Sequence, residues 1–290
     1  MKKVFGILCH QVTNPLIHTV NYLAKFNENT IIIHVDKKSD ITPFECLKQP
    51  NVYFLENRVN VLWGHVSQID VTLMLLEYCH DFEYDYFFLI SGDDIPIQSN
   101  SKINNILEKF HEFDFIDCND ETNIVPEDRV RFNYPSFFYT KEKTLRIKAK
   151  KFAVYKTRKV FFRNKKFDNC RFQIPKMYKG ANWFTFKKST VDYILNYLKE
   201  NPWFYPLFEK SICADEVFFH TIFKTNSNLK IFKNENFLNS ELRYIDWQTG
   251  PEYPKILNEE DRTSMIQSNC LFARKLPVNA NKNFMESFLA

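Results

Sequence analysis

The sequence predicts an α/β protein with a mainly parallel central sheet flanked by helices, folded as a single domain. Short apolar runs alternate with segments of helical spacing over the first 120 residues. These runs are apolar throughout, which is typical of parallel strands covered on both faces. The length of 290 residues allows one large domain or two small ones.

Each element is predicted from its local pattern. Apolar residues at i, i+4 and i+7 predict a helix through Ile69, Leu73 and Leu76, with Ser67 as its cap. The predicted strands are Val4–Cys9, Thr30–Val35, Val52–Leu55, Tyr86–Ile90, Phe113–Asp117 and Gly180–Phe186. The predicted helices are His18–Phe26, Ser67–Cys79, Ile103–Phe110, Ser189–Leu198 and Asp215–Phe223. Residues 121–170 lack clear periodicity, and residues 230–276 mix short strands with turns.

Several protein classes are disfavoured by composition. The seven cysteines are scattered and form no CxxC pair, which argues against a disulfide framework and a zinc site. The five glycines build neither a GxGxxG fingerprint nor a Walker A loop. No apolar run approaches the roughly 18 residues of a membrane span, and the first residues lack a cleavage site. We therefore expect a cytoplasmic protein.

Residues 141–166 form a strongly basic strip. They hold 12 Lys and Arg and a single acid, so the rest of the chain is net negative although the whole is +4. Such a strip favours a polyanionic neighbour. No RRM, KH or helix-turn-helix signature accompanies it, so we expect no nucleic acid. We expect peripheral contact with an anionic membrane at its inner face, against the simpler interpretation of a solvated surface segment.

Polar residues follow three of the predicted strands, where ligands of parallel sheets bind. They are His10, Asp36 and the pair Asp93–Asp94. Asp36 can accept hydrogen bonds from a ribose or a base, or it can belong to a solvated turn. Adjacent acids on an extended segment point to opposite faces, so Asp93–Asp94 is a poor metal chelate. We expect Lys or Arg, rather than a metal, to neutralise a bound diphosphate.

Eight blocks along nearly the whole chain resemble the core-2/I-branching N-acetylglucosaminyltransferase family, which also contains peptide xylosyltransferases. Each block alone is a weak signal, but the blocks run in the family's order. They are Ile33–Ser39, Arg58–Val59, Trp63–Gly64, Leu89–Ile97, Lys179–Phe184, Ala214–Ile222, Leu242–Trp247 and Leu271–Lys275. The short chain resembles bacterial members, whereas a neutral residue is more usual in the family at Asp93.

The resemblance implies a GT-A-like fold and an inverting, metal-independent transfer from a UDP-sugar to a glycan. Residues 1–120 would form the nucleotide-sugar half and residues 121–290 the acceptor and catalytic half. Glu216 matches the family's catalytic base. Lys275 matches a diphosphate-binding lysine, with either Lys255 or Arg243 as its basic partner.

The remaining site assignments are less specific. Asp36 matches the residue that contacts uridine, and we also assign three residues to the donor site: His10, Arg58 and Asp94. Trp183 and Trp247 lie in blocks associated with sugar binding, although core packing is an equal explanation for each. We assign both, with Asp215, to the acceptor site.

Helix Asp215–Phe223 gives the base assignment a physical basis. A helix start favours ionised carboxylates, as a general base requires, although Asp215 and Glu216 could merely cap the helix. We expect UDP-N-acetylglucosamine as donor. The expected acceptor is a precursor of a surface polysaccharide or lipooligosaccharide, which can be lipid-linked. UDP-xylose, UDP-galactose, UDP-glucose and a non-catalytic glycan- or nucleotide-binding protein remain alternatives.

Overall fold

A computed structural model describes residues 1–118, 125–140, 142, 144–251 and 253–289. The strands are β1 (Lys3–Cys9), β2 (Asn29–Val35), β3 (Val52–Phe54), β4 (Tyr86–Ser91), β5 (Ile95–Pro96), β6 (Phe115–Ile116), β7 (Phe184–Lys187), β8 (Arg243–Ile245) and β9 (Phe272–Arg274). The helices are α1 (Asn14–Leu23), α2 (Ser67–Cys79), α3 (Asn100–Lys109), α4 (Leu145–Phe161), α5 (Lys165–Asn169), α6 (Lys188–Glu200), α7 (Asp215–Lys224), α8 (Arg262–Gln267) and α9 (Lys282–Glu286).

The central sheet has six strands in the order β3-β2-β1-β4-β7-β6. The first four are parallel, and β7 runs antiparallel to both β4 and β6. Cys9 pairs with Val35 and Leu8 with Ser91, so β1, β2 and β4 end level with one another. The two sequence halves therefore share one sheet, and the predicted α/β single-domain architecture is confirmed.

A smaller sheet in the order β5-β9-β8 lies beside the ends of these strands. Strand β5 begins just after the turn that holds Asp93 and Asp94, and it runs antiparallel to β9. Strands β8 and β9 are parallel, so Asp246 and Lys275 follow them at the same end. The small sheet thereby brings the C-terminal segment to the ligand-binding edge of the central sheet.

Apolar side chains cover both faces of the central sheet, as predicted. On one face Val4, Ile32 and Phe87 pack with α2 and α7. On the other face Phe5 and Ile33 pack with α1 and α3. Burial on both faces explains why the strands carry no polar alternation.

Helix boundaries differ from the predictions where capping overrides apolar spacing. Helix α1 begins at Asn14, four residues before the predicted start, because the Thr13 hydroxyl accepts a hydrogen bond from the Leu16 amide at 3.0 Å. Helix α2 has the predicted bounds, but the prediction that Ser67 caps it is wrong. The Ser67 hydroxyl instead accepts from the Leu62 amide at 3.0 Å, and Val66 occupies the cap position.

The segment without periodicity contains the longest described helix, α4, with 17 residues. Val154 is its single buried side chain, so apolar spacing gave little signal. Most of the basic strip 141–166 lies on this helix. Within the described residues, no helix is both long and apolar enough to cross a membrane.

Candidate active site

The level ends of β1 and β2 open into a cleft of about 560 Å³. His10 and Asp36 line it from the strand ends, as predicted, and Trp63 lines it from the loop before α2. Asp36 is buried, accepts a hydrogen bond from the Lys38 amide at 2.9 Å, and lies 3.5 Å from the Lys38 ammonium. The cleft thus combines a fixed acid with an exposed indole, a suitable surface for a nucleoside.

His34 and Arg58 stabilise the wall of this cleft. His34 is buried at the end of β2, and burial lowers the pKa of its imidazole to about 4. Its neutral ring accepts a hydrogen bond from the Val59 amide at 2.9 Å. Arg58 donates to the Ser39 carbonyl at 3.0 Å, which ties the segment after β3 to the loop after β2. Arg58 therefore supports the cleft at the ends of β1 and β2 from outside and does not line it.

The turn after β4 is held by Asp94, whose side chain is fully buried. Its carboxylate accepts hydrogen bonds from the amide and the hydroxyl of Ser91, each at 2.8 Å. It also accepts one from the Arg274 guanidinium at 2.8 Å. The prediction that Asp94 binds the donor needs correction, because these contacts already occupy the carboxylate and burial removes it from solvent.

Asp93 lies on the open side of the same turn. Its carboxylate is 3.9 Å from the ammonium of Lys275, which follows β9 and keeps an exposed fraction of 42%. The Lys275 side chain therefore lies beside the turn after β4.

Arg274 connects this turn to Trp183. Its guanidinium carbon lies 4.3 Å from the centre of a Trp183 ring, a close cation–π contact. Because Asp94 fixes the guanidinium from the other side, the indole is held at the same edge as Lys275. Trp183, which is predicted to bind the acceptor, is half-buried here and contacts Arg274 through its ring.

Glu216 lies in the first turn of α7, where the helix N-terminus favours negative charge. Its carboxylate oxygen Oε2 lies 3.0 Å from the Lys179 ammonium and 3.5 Å from the Arg129 guanidinium. The side chain keeps 31% of its surface exposed, while the Oε2 atom itself is buried and has no hydrogen-bond partner among the described residues. Two cations from separate segments therefore hold the candidate base in place.

Close packing at Gly180 sets the position of Lys179. A Cβ atom on Gly180 would lie 1.8 Å from the Asp117 carbonyl oxygen, a contact that real Cβ atoms do not make. The Gly180 amide also donates to the Glu216 carbonyl at 3.0 Å. Glycine at this position lets the segment after α5 lie directly against the end of β6 and the start of α7.

Asp215 does not reach the surface of the site. It is 5% exposed, and burial raises the pKa of its carboxyl to about 7, with the charge of Glu216 adding to the effect. The prediction that it binds the acceptor needs correction, because its side chain lies inside the protein beneath Glu216.

The loop before α2 is joined to the segment before α7. The Cys213 amide donates to the Gly64 carbonyl at 2.8 Å, and both residues have positive φ angles, +46° and +70° respectively. A side chain at Gly64 would meet the Cys213 sulfur at 3.1 Å. This contact joins the loop of Trp63, which lines the cleft at the ends of β1 and β2, to the segment that leads into Glu216.

The two candidates for the second diphosphate cation lie in different surroundings. Arg243 is fully buried, donates to the Glu241 carbonyl and the Thr185 hydroxyl at 3.0 Å each, and packs against Phe272. The prediction that Arg243 binds the donor is therefore wrong, because its guanidinium bonds within the core. Lys255 is accessible, but its ammonium pairs with Asp261 at 2.7 Å.

Trp247 lies in the turn after β8 with 60% of its side chain exposed. Asp246 fixes that turn by accepting hydrogen bonds from the Gln248 and Thr249 amides at 2.7 and 3.0 Å. The Lys255 amide donates to the Asp246 carbonyl at 2.9 Å, so Trp247 and Lys255 lie near each other. Both are at the end of the small sheet that Lys275 also occupies.

A sequence comparison decides the family. The family model Core-2/I-Branching enzyme matches residues 4–267. The chain belongs to the core-2/I-branching enzyme family. This is a family of glycosyltransferases, and membership agrees with the GT-A-like fold class predicted from the sequence.

Two curated proteins are similar to this core-2/I-branching family member. The β-glucuronosyltransferase GlcAT14A of Arabidopsis thaliana is 24% identical over 273 residues, covering 85% of this chain and 55% of that protein. A xylosyltransferase of Ciona intestinalis is 30% identical over 90 residues, covering 29% of this chain and 11% of that protein. The chain thus spans about half the length of the first relative and a ninth of the second.

Solved structures are only distantly similar to this family member. Staphylococcus aureus TarS residues 1–349 give a TM-score of 0.31 at 11% identity, covering 70% of this chain and 49% of that one. A putative glucose-1-phosphate thymidylyltransferase from Bacillus anthracis, in complex with sucrose, gives 0.32 at 15%, covering 66% and 74%. At these TM-scores the similarities carry no argument about function.

Three residues at the site of this family member were missed by sequence reasoning. Lys179 and Arg274 lie inside blocks that carry the family resemblance, next to residues that were assigned roles. A basic residue closing an apolar strand was a usable signal for Arg274. Arg129 had no such signal, because it ends a short 3-10 helix, Pro126–Arg129, in the segment without periodicity.

Proposed function

We propose that the protein is an inverting glycosyltransferase that moves a sugar from a uridine diphosphate donor to a hydroxyl of a glycan acceptor. The observation that carries the proposal is Glu216, a partly exposed carboxylate at a helix start, held by Lys179 and Arg129. Direct displacement at the anomeric carbon needs such a carboxylate beside the incoming hydroxyl to take its proton. A protein that only binds glycans has no use for that base.

The donor would occupy the cleft at the ends of β1 and β2. Asp36 would accept hydrogen bonds from the uridine, and the indole of Trp63 offers an apolar face on the opposite rim. His10, which is exposed at the end of β1, lies in the same cleft. The leaving diphosphate would then extend toward the turn of Asp93 and Asp94.

Lys275 would stabilise the negative charge that develops on the leaving diphosphate. It follows β9 directly, is 42% exposed, and faces the turn after β4. Lys255 would be its partner, since it shares the end of the small sheet and is not buried as Arg243 is. Fixed cations at a developing charge are an established source of rate enhancement.

We propose that this reaction needs no metal ion. Supporting this, Asp94 is engaged by Ser91 and Arg274, and Asp93 faces Lys275 rather than a second free acid. Two carboxylates already facing cations form a poor site for a divalent ion. Within the described residues, no three His, Cys, Asp or Glu side chains lie together as metal ligands.

For the donor sugar we propose N-acetylglucosamine, and for the acceptor a precursor of a bacterial surface polysaccharide or lipooligosaccharide. The names of the relatives, a glucuronosyltransferase and a xylosyltransferase, make glucuronic acid and xylose the alternatives to test. A few pocket contacts decide such choices. Trp183 and Trp247 would stack on the apolar faces of sugar rings at the acceptor side.

The test is release of UDP from a panel of UDP-sugars, with and without EDTA, for the wild type and Glu216→Gln. We expect EDTA-resistant turnover with one donor, and a loss of about 100-fold or more in Glu216→Gln. Glu200→Gln, an exposed acid at the end of α6, is the matched control and should retain activity.

Other outcomes would change the proposal in defined ways. If EDTA abolishes turnover and manganese restores it, the metal-free mechanism is wrong. Asp93 would then hold a metal ion that binds the diphosphate. Nucleotide binding without turnover on any donor, equal in both variants, would indicate a binding protein.

A further inference from the structure

One side of α4 carries three large apolar residues although it faces solvent. Leu145, Phe152 and Val160 are 85%, 63% and 73% exposed. Their spacing of seven and eight residues places them on one side of the helix, opposite the buried Val154. Isolated exposed apolar residues are ordinary on proteins, but an aligned row of three is not.

Lysines flank this row. Lys148, Lys156 and Lys159 project from the same side, and the Lys156 ammonium lies 5.4 Å from the centre of the Phe152 ring. Among the residues that the structure describes, no carboxylate lies within 4 Å of these three ammonium groups. We call Leu145, Lys148, Phe152, Lys156, Lys159 and Val160 the outer face of α4.

Basic residues on the inner side of the same helix contact the rest of the protein. The Lys151 ammonium donates to the Phe138 carbonyl at 3.1 Å, and the Arg158 guanidinium pairs with Asp128 at 3.2 Å. Basic residues on that side thus fasten the helix to the protein. Those on the outer face are left for a partner.

We propose that the outer face of α4 binds the surface of an anionic lipid bilayer, with Phe152, Leu145 and Val160 inserted among the headgroups. Exposed apolar side chains interleaved with lysines can combine apolar burial with attraction to anionic lipid, the two contributions that drive binding at a bilayer surface. A nucleic acid would use the lysines but would leave the aliphatic side chains exposed. The charge and the apolar row together therefore favour a membrane.

This surface is connected to the candidate base. Asp128 pairs with Arg158 of α4, and its neighbour Arg129 lies 3.5 Å from Glu216. Docking through α4 would hold Glu216 at a fixed place relative to the bilayer, where a lipid-linked acceptor presents its sugar. Only this consequence rests on the proposed function; the binding itself does not.

The test is co-sedimentation with vesicles of phosphatidylcholine alone and of phosphatidylcholine mixed with phosphatidylglycerol. We expect binding to the anionic vesicles only. The triple variant Lys148→Glu, Lys156→Glu, Lys159→Glu should bind about 100-fold more weakly. The control variant Lys102→Glu, Lys199→Glu, Lys233→Glu makes the same charge change at exposed lysines elsewhere and should bind like the wild type.

A second variant tests the apolar row. Phe152→Ser with Val160→Ser should lose about tenfold in affinity at high salt, where charge attraction is screened. Equal binding to neutral and anionic vesicles, or wild-type binding by the lysine variant, would overturn the proposal. So would α4-dependent binding of duplex DNA or RNA that vesicles cannot displace.

Sugar transfer to a water-soluble acceptor separates this proposal from the proposed function. We expect the lysine variant to keep that activity although it no longer binds the anionic vesicles. If the wild type and the variants bind vesicles as expected but none transfers sugar, the membrane-binding proposal for the outer face of α4 is supported and the catalytic assignment is wrong.

Discussion

The ammonium of Lys179 lies 3.0 Å from Oε2 of Glu216, and this pair joins two segments that are 37 positions apart in the sequence. Lys179 is held there by the packing of Gly180 on the Asp117 carbonyl. Arg129 approaches the same carboxylate oxygen at 3.5 Å. The geometry of the candidate base thus depends on three separate parts of the chain.

Removing the charge of Lys179 should impair catalysis through the position of Glu216. We expect Lys179→Met to lower kcat about tenfold with a smaller change in KM, because Arg129 alone would hold the carboxylate less firmly. Lys179→Arg should recover part of the loss. Steady-state kinetics of UDP release measure both, with Lys176→Met as control for a nearby exposed lysine. An unchanged kcat would show that Glu216 does not need this partner.

Lys275 and Lys255 should differ in their effect on transfer. Lys275→Ala should reduce kcat about 100-fold, because its side chain is 42% exposed and lies beside the turn of Asp93, where the leaving diphosphate would bind. Lys255→Ala should cost less, since its ammonium pairs with Asp261. The measurement is kcat for each variant at saturating donor. A larger loss for Lys255→Ala would reverse the assignment of the main cation.

Arg274 should matter for stability as well as for the site. Arg274→Met leaves the buried carboxylate of Asp94 without its cation, so we expect a loss of about 3 kcal/mol in the free energy of unfolding. Asp94→Asn in the same chain should restore part of it, because the uncompensated charge is gone. Urea unfolding of both single variants and the double variant checks this. Additive losses would mean that the two residues are not coupled.

Glu241 should make stability depend on pH. Burial raises the pKa of its carboxyl to about 8 from an ordinary 4.5, with the charge of Asp117 adding to the effect. Because the folded pKa is the higher one, the neutral side chain contributes stability that is complete below the unfolded pKa. That contribution is lost as the pH rises through about 8.

Glu241→Gln removes this titration. We expect the variant to match the wild type at about pH 5 and to exceed it by about 1–3 kcal/mol at about pH 9, since the cost of burying the ionised carboxylate outweighs its attraction to Arg243. Thermal or urea unfolding at both pH values measures the difference between the two proteins. A difference that does not grow with pH would contradict the prediction.

The central sheet was accessible from sequence because its strands are local, continuous and apolar. The predicted strands through Ile33 and Phe88 lie in β2 and β4. Helix α4 was missed because basic residues interrupt its apolar positions and Val154 is its single buried side chain. Strand β5 was missed because two residues beside a turn carry too little pattern.

The site residues show the same difference between what local pattern predicts and what tertiary packing decides. His10 and Asp36 line one cleft because parallel strands end together. Arg243 is a basic residue inside one of the blocks that carry the family resemblance, so the sequence does not distinguish it from a ligand-binding arginine. In the structure it lies in the core. Sequence records the presence of a cation, whereas its burial depends on the packing of Phe272 and Thr185 around it.

By itself, the sequence determined the α/β class, the family and the residues at the ends of the central strands, because these depend on local pattern and on ordered blocks. Only the tertiary structure decided which charged residues are free. It buried Asp94, Asp215 and Arg243, brought Lys179 to Glu216, and turned the outer face of α4 to solvent. Burial and pairing arise from contacts between distant segments, and no local pattern encodes those contacts.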